Sequence, residues 1–421
     1  MPDAQPAPDV ANGLKLEQAI ALSLARNETP EIAAARVERA EATISRAAAA
    51  LRPSLLLNGS LSTTQANDLP TGGPANETTA WNASAEMALL RAGAWSNLAA
   101  SKYALRAQQL DGLETRRILS YAVSGVFLNV LAADRQVNAA NRRLAVSTTS
   151  VSDAKARLQA GLSTRTDVTR AELEEATAKL SVTRARSLVT TSRLALEDLI
   201  VSSLDGPLIT PTSIDIPSRE DEVLHRLAIA YRADLRALQF REAAADQSVR
   251  AAYGRWVPDI SARATAGSYD STNPELARKN NDTDVTLSLL ANWALYDGGD
   301  RGGAIGQAEA DRRETGLNRT QQLRGLRKDL LTALANLETS EASLAQSEAR
   351  DRLAKANADE VRARYKQGLA TALEDADAIS SQFEAESDLV ASQLLMARSR
   401  LDLRQLAGLW PLSDREPTDK P

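Results

Sequence analysis

The sequence predicts a mainly α-helical protein that carries four β-strands of membrane-spanning type, built as two copies of one unit. Three observations lead there. Proline is absent between Pro74 and Pro207 and again between Pro274 and Pro411, and proline is what helix interiors exclude. Landmarks recur at nearly one offset: Gly161 in "RLQAGLSTRTDV" matches Gly368 in "RYKQGLATALED", Pro53 matches Pro258, and Gly93 matches Gly299, separated by 207, 205 and 206 residues. Such a constant offset marks an internal duplication. Finally, the segments 54–64, 80–91, 257–269 and 283–296 alternate apolar and polar residues with period two, over the length that a tilted transmembrane strand needs.

Taken in order, residues 1–13, "MPDAQPAPDVANG", read as a disordered leader, a mature chain restarted with Met1 after loss of a signal peptide. The first repeat spans 14–203. It opens with a helix of about 35 residues over 16–50, then gives the strands 54–64 and 80–91 and two very long helices that meet near Gly161. In "AWNASAEMALL", Trp81, Ala83, Ala85, Met87 and Leu89 fall on one side and Asn82, Ser84 and Glu86 on the other. An ordinary soluble hairpin with one buried face carries the same signature, so both readings stand at this point. A Pro-rich linker occupies 204–218. The second repeat, 219–410, repeats the plan: a helix at about 219–255, strands 257–269 and 283–296, and a long hairpin with its tip near Gly368. Residues 411–421 form a tail. Gly93 to Gly161 would span roughly 100 Å as a helix. Such helices cannot bury an apolar stripe alone, and Ala132, Ala133, Ala139, Ala140, Ala333 and Ala335 permit close packing against others.

Composition removes several functions. The net charge is −5 and the pI near 5.4, so no overall basic field invites nucleic acid. With no cysteine and a single histidine, His225, thiolate metal sites, disulfides and a Cys nucleophile are excluded and an enzyme is not expected. No cofactor and no metal are implied. "DGGDRGG" at 297–303 matches no nucleotide-binding pattern and reads as a strand-to-helix turn. No uninterrupted apolar run reaches the ~18–20 residues of a spanning helix.

The tips carry the remaining chemistry. Gly161 and Gly368 suit helix C-termini with positive φ. Thr164 with Asp167, and Thr371 with Glu374, have capping-box spacing for the outgoing helices. The second tip adds Asp375 and Asp377, whereas the first has Arg165 and, at the position corresponding to Asp377, Arg170. Capping and the helix dipole account for acids in a first turn. Chains gathered around an axis would turn the same acids into rings that select cations and shape a pore entrance.

These features resemble the TolC family of outer-membrane efflux and secretion channels across residues 14–410. The resemblance rests on the duplication, on "LYDGGDR" with its degenerate partner "LLRAGAW", and on the paired tips. It implies a homotrimer whose chains each give four strands to one twelve-stranded barrel in the outer membrane of a Gram-negative bacterium. The helices would form a periplasmic tunnel, with the linker and C-terminal segment as an equatorial belt. It implies passive conduction for a tripartite efflux pump or type I secretion system. The partners would be a periplasmic adaptor and an inner-membrane transporter of the RND or ABC type. By the same resemblance Glu374 and Asp377 close the tunnel, and Asp167 and Tyr365 join neighbouring hairpins. Gly161, Leu162, Gly368 and Leu369 would meet the adaptor's tips. The family's arginine near the second tip is absent, with Ala370 in its place, and Arg165 or Arg170 stands in for it. The rival reading is a periplasmic coiled-coil adaptor or scaffold without a barrel.

Overall fold

The structure, a computed structural model, describes residues 13–64, 76–211, 214–271 and 283–413. The leader up to residue 12, most of both inter-strand loops and the tail beyond Ser413 lie outside the described residues. The element order is α1 (Leu16–Arg26), α2 (Glu28–Ala49), β1 (Ser54–Thr64), β2 (Asn76–Leu90), α3 (Ala92–Gln159) and α4 (Arg165–Ile200). It continues with α5 (Asp221–Tyr231), α6 (Ala233–Gly254), β3 (Asp259–Ser271), β4 (Asp284–Asn292), α7 (Asp300–Lys366) and α8 (Ala372–Leu406).

Two differences from the sequence expectation are instructive. The helices expected over 16–50 and 219–255 are each broken in two. At Asn27 the backbone is extended (φ −73°, ψ 143°). The ring of Pro30 would otherwise meet the Arg26 carbonyl four residues back, and the Asn27 side chain accepts from the Thr29 N–H at 2.9 Å. Arg232 is extended too (φ −67°, ψ 113°), yet no proline follows. There a segment distant in sequence packs against the break. Gly408, at φ +84°, lies so close that a Cβ on it would come within 2.8 Å of the Arg232 nitrogen. Strand limits also move: β2 begins at Asn76 and β4 stops at Asn292, where Trp293 turns its indole N–H onto the Trp256 carbonyl at 3.2 Å.

The chain divides into two compact units that do not follow the repeats. One comprises 1–33, 112–233 and 322–421, the other 34–111 and 234–321. Each therefore draws on both copies, because strands and helices of one copy pair with those of the other.

In the second unit the four strands form one antiparallel sheet in the order β1-β2-β3-β4. Its register sets like with like. Leu55 faces Ala85 and Leu57 faces Ala83; Ala85 faces Ala264 and Met87 faces Ala262; Ala264 faces Leu287 and Ala262 faces Leu289. One side of the sheet is thus continuously apolar; its edge-strand leucines are open, with Leu55 80% exposed, Leu57 71%, Leu287 79% and Leu289 72%, and the alanines between them are half-buried. The other side carries Asn58, Ser84, Thr265 and Thr286, and a cross-strand pair in which Arg263 Nη2 lies 2.6 Å from Glu86. Where α6 meets the start of α3, glycine is required. A Cβ on Gly254 would lie 2.6 Å from the Gly93 nitrogen.

The first unit holds the main core. Phe127 and Val130 of α3, Leu16 and Ile20 of α1, Leu196 and Ile200 of α4, and Trp410 pack together. Two buried arginines finish it. Arg117 pairs with Glu114 and donates to the Gln405 and Leu409 carbonyls at 2.8 and 3.1 Å. Arg404 donates to Trp410 at 3.0 Å and to Asp215 and Ser413, both at 2.9 Å. These donors satisfy carbonyls that the end of α8 and the linker leave open. One window of α3 is apolar enough by composition to cross a membrane, but 56% of it is buried within the protein, so its apolar character serves this core.

Candidate functional site

The tips of the α3–α4 and α7–α8 hairpins are built alike. In the first, the Leu162 N–H reaches the Arg157 carbonyl at 2.8 Å and the Gly161 N–H reaches Leu158 at 3.0 Å; in the second, Leu369 reaches Arg364 at 2.8 Å and Gly368 reaches Tyr365 at 3.0 Å. This paired closure needs a left-handed residue, and Gly161 and Gly368 supply it at φ +72° and +78°. Each turn pushes a leucine outward: Leu162 is 76% exposed and Leu369 65%.

Both capping boxes form. Asp167 accepts from the Thr164 N–H at 2.9 Å and hydroxyl at 2.8 Å, and from Ser163 at 2.9 Å. Glu374 accepts from the Thr371 N–H at 2.6 Å and hydroxyl at 2.9 Å. Hydrogen bonds to the charged form hold both carboxyls below the usual range. The backbone N–H of the cap is the largest cause, the hydroxyl the next, with Arg170 helping Asp167 and Arg364 helping Glu374. A depressed folded-state pKa stabilises above the ordinary carboxyl pKa and is lost as pH falls through the folded value. Acidification from neutral to below the carboxylate range is therefore expected to fray α4 and α8 at their starts. Amide protection factors, taken relative to the intrinsic exchange rate at each pH, should fall at Asp167 and Glu374 while the core around Phe127 stays protected. An equal loss of protection in both places would contradict this.

Within the chain the arginines that follow the first tip do not meet the acids of the second. Arg165 is exposed and Arg170 half-exposed, and neither reaches a carboxylate of the second tip. The guanidinium that does reach the second tip is Arg157 of α3. It lies over the Tyr365 ring, 4.4 Å from the centroid, and donates to the carbonyls of Tyr365 and Lys366. Tyr365 is buried, 6% exposed. Burial pushes its phenol up, partly offset by Arg157. Asp377 and Glu374 are exposed on α8.

Asp375, between them, turns inward and is 3% exposed. It accepts from Ser150 of α3 at 3.0 Å and lies 4.0 Å from Arg362 Nε of α7. Sequence reasoning singled out its neighbours instead. The signal was present in the duplication: 207 residues back stands Val168, which is buried in an apolar cluster with Val151, Ala154 and Ala171. Among the described residues no group of His, Cys, Asp and Glu has metal-binding geometry. His225 sits partly exposed on α5, and the "DGGDRGG" stretch is a turn in which Asp297 accepts from the Gly299 and Arg301 N–H groups, each at 3.1 Å.

Comparison with known proteins places this geometry. The chain is 25% identical over 313 residues to the outer membrane efflux protein BepC of Brucella suis, covering 73% of this chain and 65% of that protein. This chain therefore spans just under two thirds of the length of that relative. Among solved structures it superposes on CusC with a TM-score of 0.83 at 17% identity, covering 93% of this chain and 92% of the other. The outer membrane protein VceC of Vibrio cholerae gives 0.79 at 20% identity, covering 93% and 96%. The MtrE outer membrane channel of Neisseria gonorrhoeae, in its open state, gives 0.80 at 20%, covering 95% and 90%. At these identities the likeness speaks for the fold. The outer membrane efflux protein model matches residues 19–200 and 224–409. With both repeats matched, the chain belongs to the outer membrane efflux protein family.

Proposed function

We infer that the chain is one third of a trimeric outer-membrane channel that conducts substrate passively from an inner-membrane pump to the outside. The observation that carries this reading is the sheet. An apolar face, with exposed leucine and valine on the edge strands and half-buried alanine between them, backs onto a mostly polar face, and four strands alone cannot close on themselves. Three chains supply twelve strands, with the apolar face toward lipid and the Glu86–Arg263 side toward water. Helices continue the conduit into the periplasm. Energy comes from an inner-membrane transporter, reached through a periplasmic adaptor that engages the exposed Leu162 and Leu369 beside Gly161 and Gly368. The adaptor-scaffold alternative offers no partner for the apolar sheet face.

In this reading the hairpin tips form the gate. Glu374 and Asp377 of neighbouring chains ring the entrance, Asp167 and Tyr365 join adjacent hairpins, and Arg165 or Arg170 meets a neighbour's acids. Neutralising the ring with Glu374→Gln and Asp377→Asn is expected to lower cation preference and change single-channel conductance in planar lipid bilayers. Unaltered selectivity and conductance in the double variant would remove these residues from the gate.

A further inference from the structure

Asp375 and Arg362 form a contact that stops short. One carboxylate oxygen of Asp375 is held by the Ser150 hydroxyl of α3 at 3.0 Å. The other, Oδ1, is buried with no hydrogen-bond partner, and so is Nη2 of Arg362. The nearest approach across the pair is 4.0 Å, about an ångström longer than a charge-assisted hydrogen bond. Buried charges left half-satisfied are costly, and even a complete buried pair contributes little to stability. Packing does not demand a charge here either, because the equivalent position in the first repeat is Val168 in an apolar cluster. The charge therefore needs another reason.

We propose that Asp375 is a two-position latch that sets the placement of the α8 tip. In one position it binds Ser150 on α3, as here; in the other it closes onto Arg362 on α7 as a bidentate pair. The two donors sit on different helices, so satisfying the orphaned Oδ1 and Nη2 draws α8 toward α7 and away from α3. Glu374 and Asp377 lie one and two residues away on the same helix and move with it. Asp375 is thus a positioning residue for the exposed carboxylates, and its role rests on the gate reading.

The trimer in planar bilayers tests this. Ser150→Ala releases the carboxylate toward Arg362, and Arg362→Met removes the alternative. The two variants should shift mean conductance in opposite directions, each by roughly ten-fold in the balance of the two positions, as expected for loss of one hydrogen bond to a charged group. Asp375→Asn, which keeps an acceptor for Ser150 but loses the charge, should behave like Arg362→Met. Asp375→Val, matching Val168, should make conductance indifferent to Ser150→Ala. A heat-sensitive trimer band for each variant shows that it assembled. Shifts in the same direction, or none in either variant, overturn the latch. If that happens while the Glu374→Gln and Asp377→Asn double variant still alters selectivity, the gate stands without the latch; if the double variant is also silent, the gate itself is lost.

Discussion

Replacing Phe127 with alanine is expected to cost about 3–5 kcal/mol of stability, the usual range for a large aromatic removed from a packed core. Phe127 is 0% exposed and stands where α1, α3, α4 and Trp410 converge. Its removal leaves a cavity that those helices cannot close without disturbing α1, which is only 11 residues long and depends on this packing. Thermal unfolding of the detergent-solubilised protein, followed by far-UV circular dichroism, measures the loss. Leu173→Ala provides the contrast: at 68% exposed on α4, it should change stability by no more than about 0.5 kcal/mol. A Phe127 variant as stable as the Leu173 one would contradict the assigned core.

The second large effect comes from a residue that looks harmless. Leu289 is 72% exposed, and on a water-facing surface its replacement by arginine would cost next to nothing. Facing hydrocarbon near the middle of the apolar band, between the Trp81 and Trp293 ends, it should cost about 2–4 kcal/mol. Thr286→Arg lies on the same strand but on the polar face, opposite Thr265, and should cost no more than about 0.5 kcal/mol. Urea titrations of protein folded into lipid vesicles compare the two directly. Equal midpoints would show that the apolar face does not meet lipid, which would return the sheet to the soluble-hairpin reading.

Local physics was legible in the sequence. Period-two alternation placed the four strands to within a few residues, because one face of each must be apolar whatever its neighbours are. The proline-free spans gave the long helices, and glycine followed by a threonine–acid pair gave both tips, since caps are satisfied within a few residues of chain. The break at Asn27, which the helix expected over 16–50 ran through, has a local cause in the ring of Pro30. The break at Arg232 has no such local mark; the residue packed against it, Gly408, lies far along the chain. The site divides the same way. Glu374 and Asp167 could be assigned to their caps from spacing alone. That Asp375 rather than its neighbours turns inward, that Arg157 rather than Arg165 or Arg170 covers the second tip, and that the compact units cut across the repeats were decided by the tertiary structure. Periodicity and capping are short-range and leave their mark in adjacent residues, whereas burial of a given side chain depends on which distant helix lies against it. For a chain made of two similar copies, those long-range neighbours are what make equivalent positions such as Val168 and Asp375 do different things.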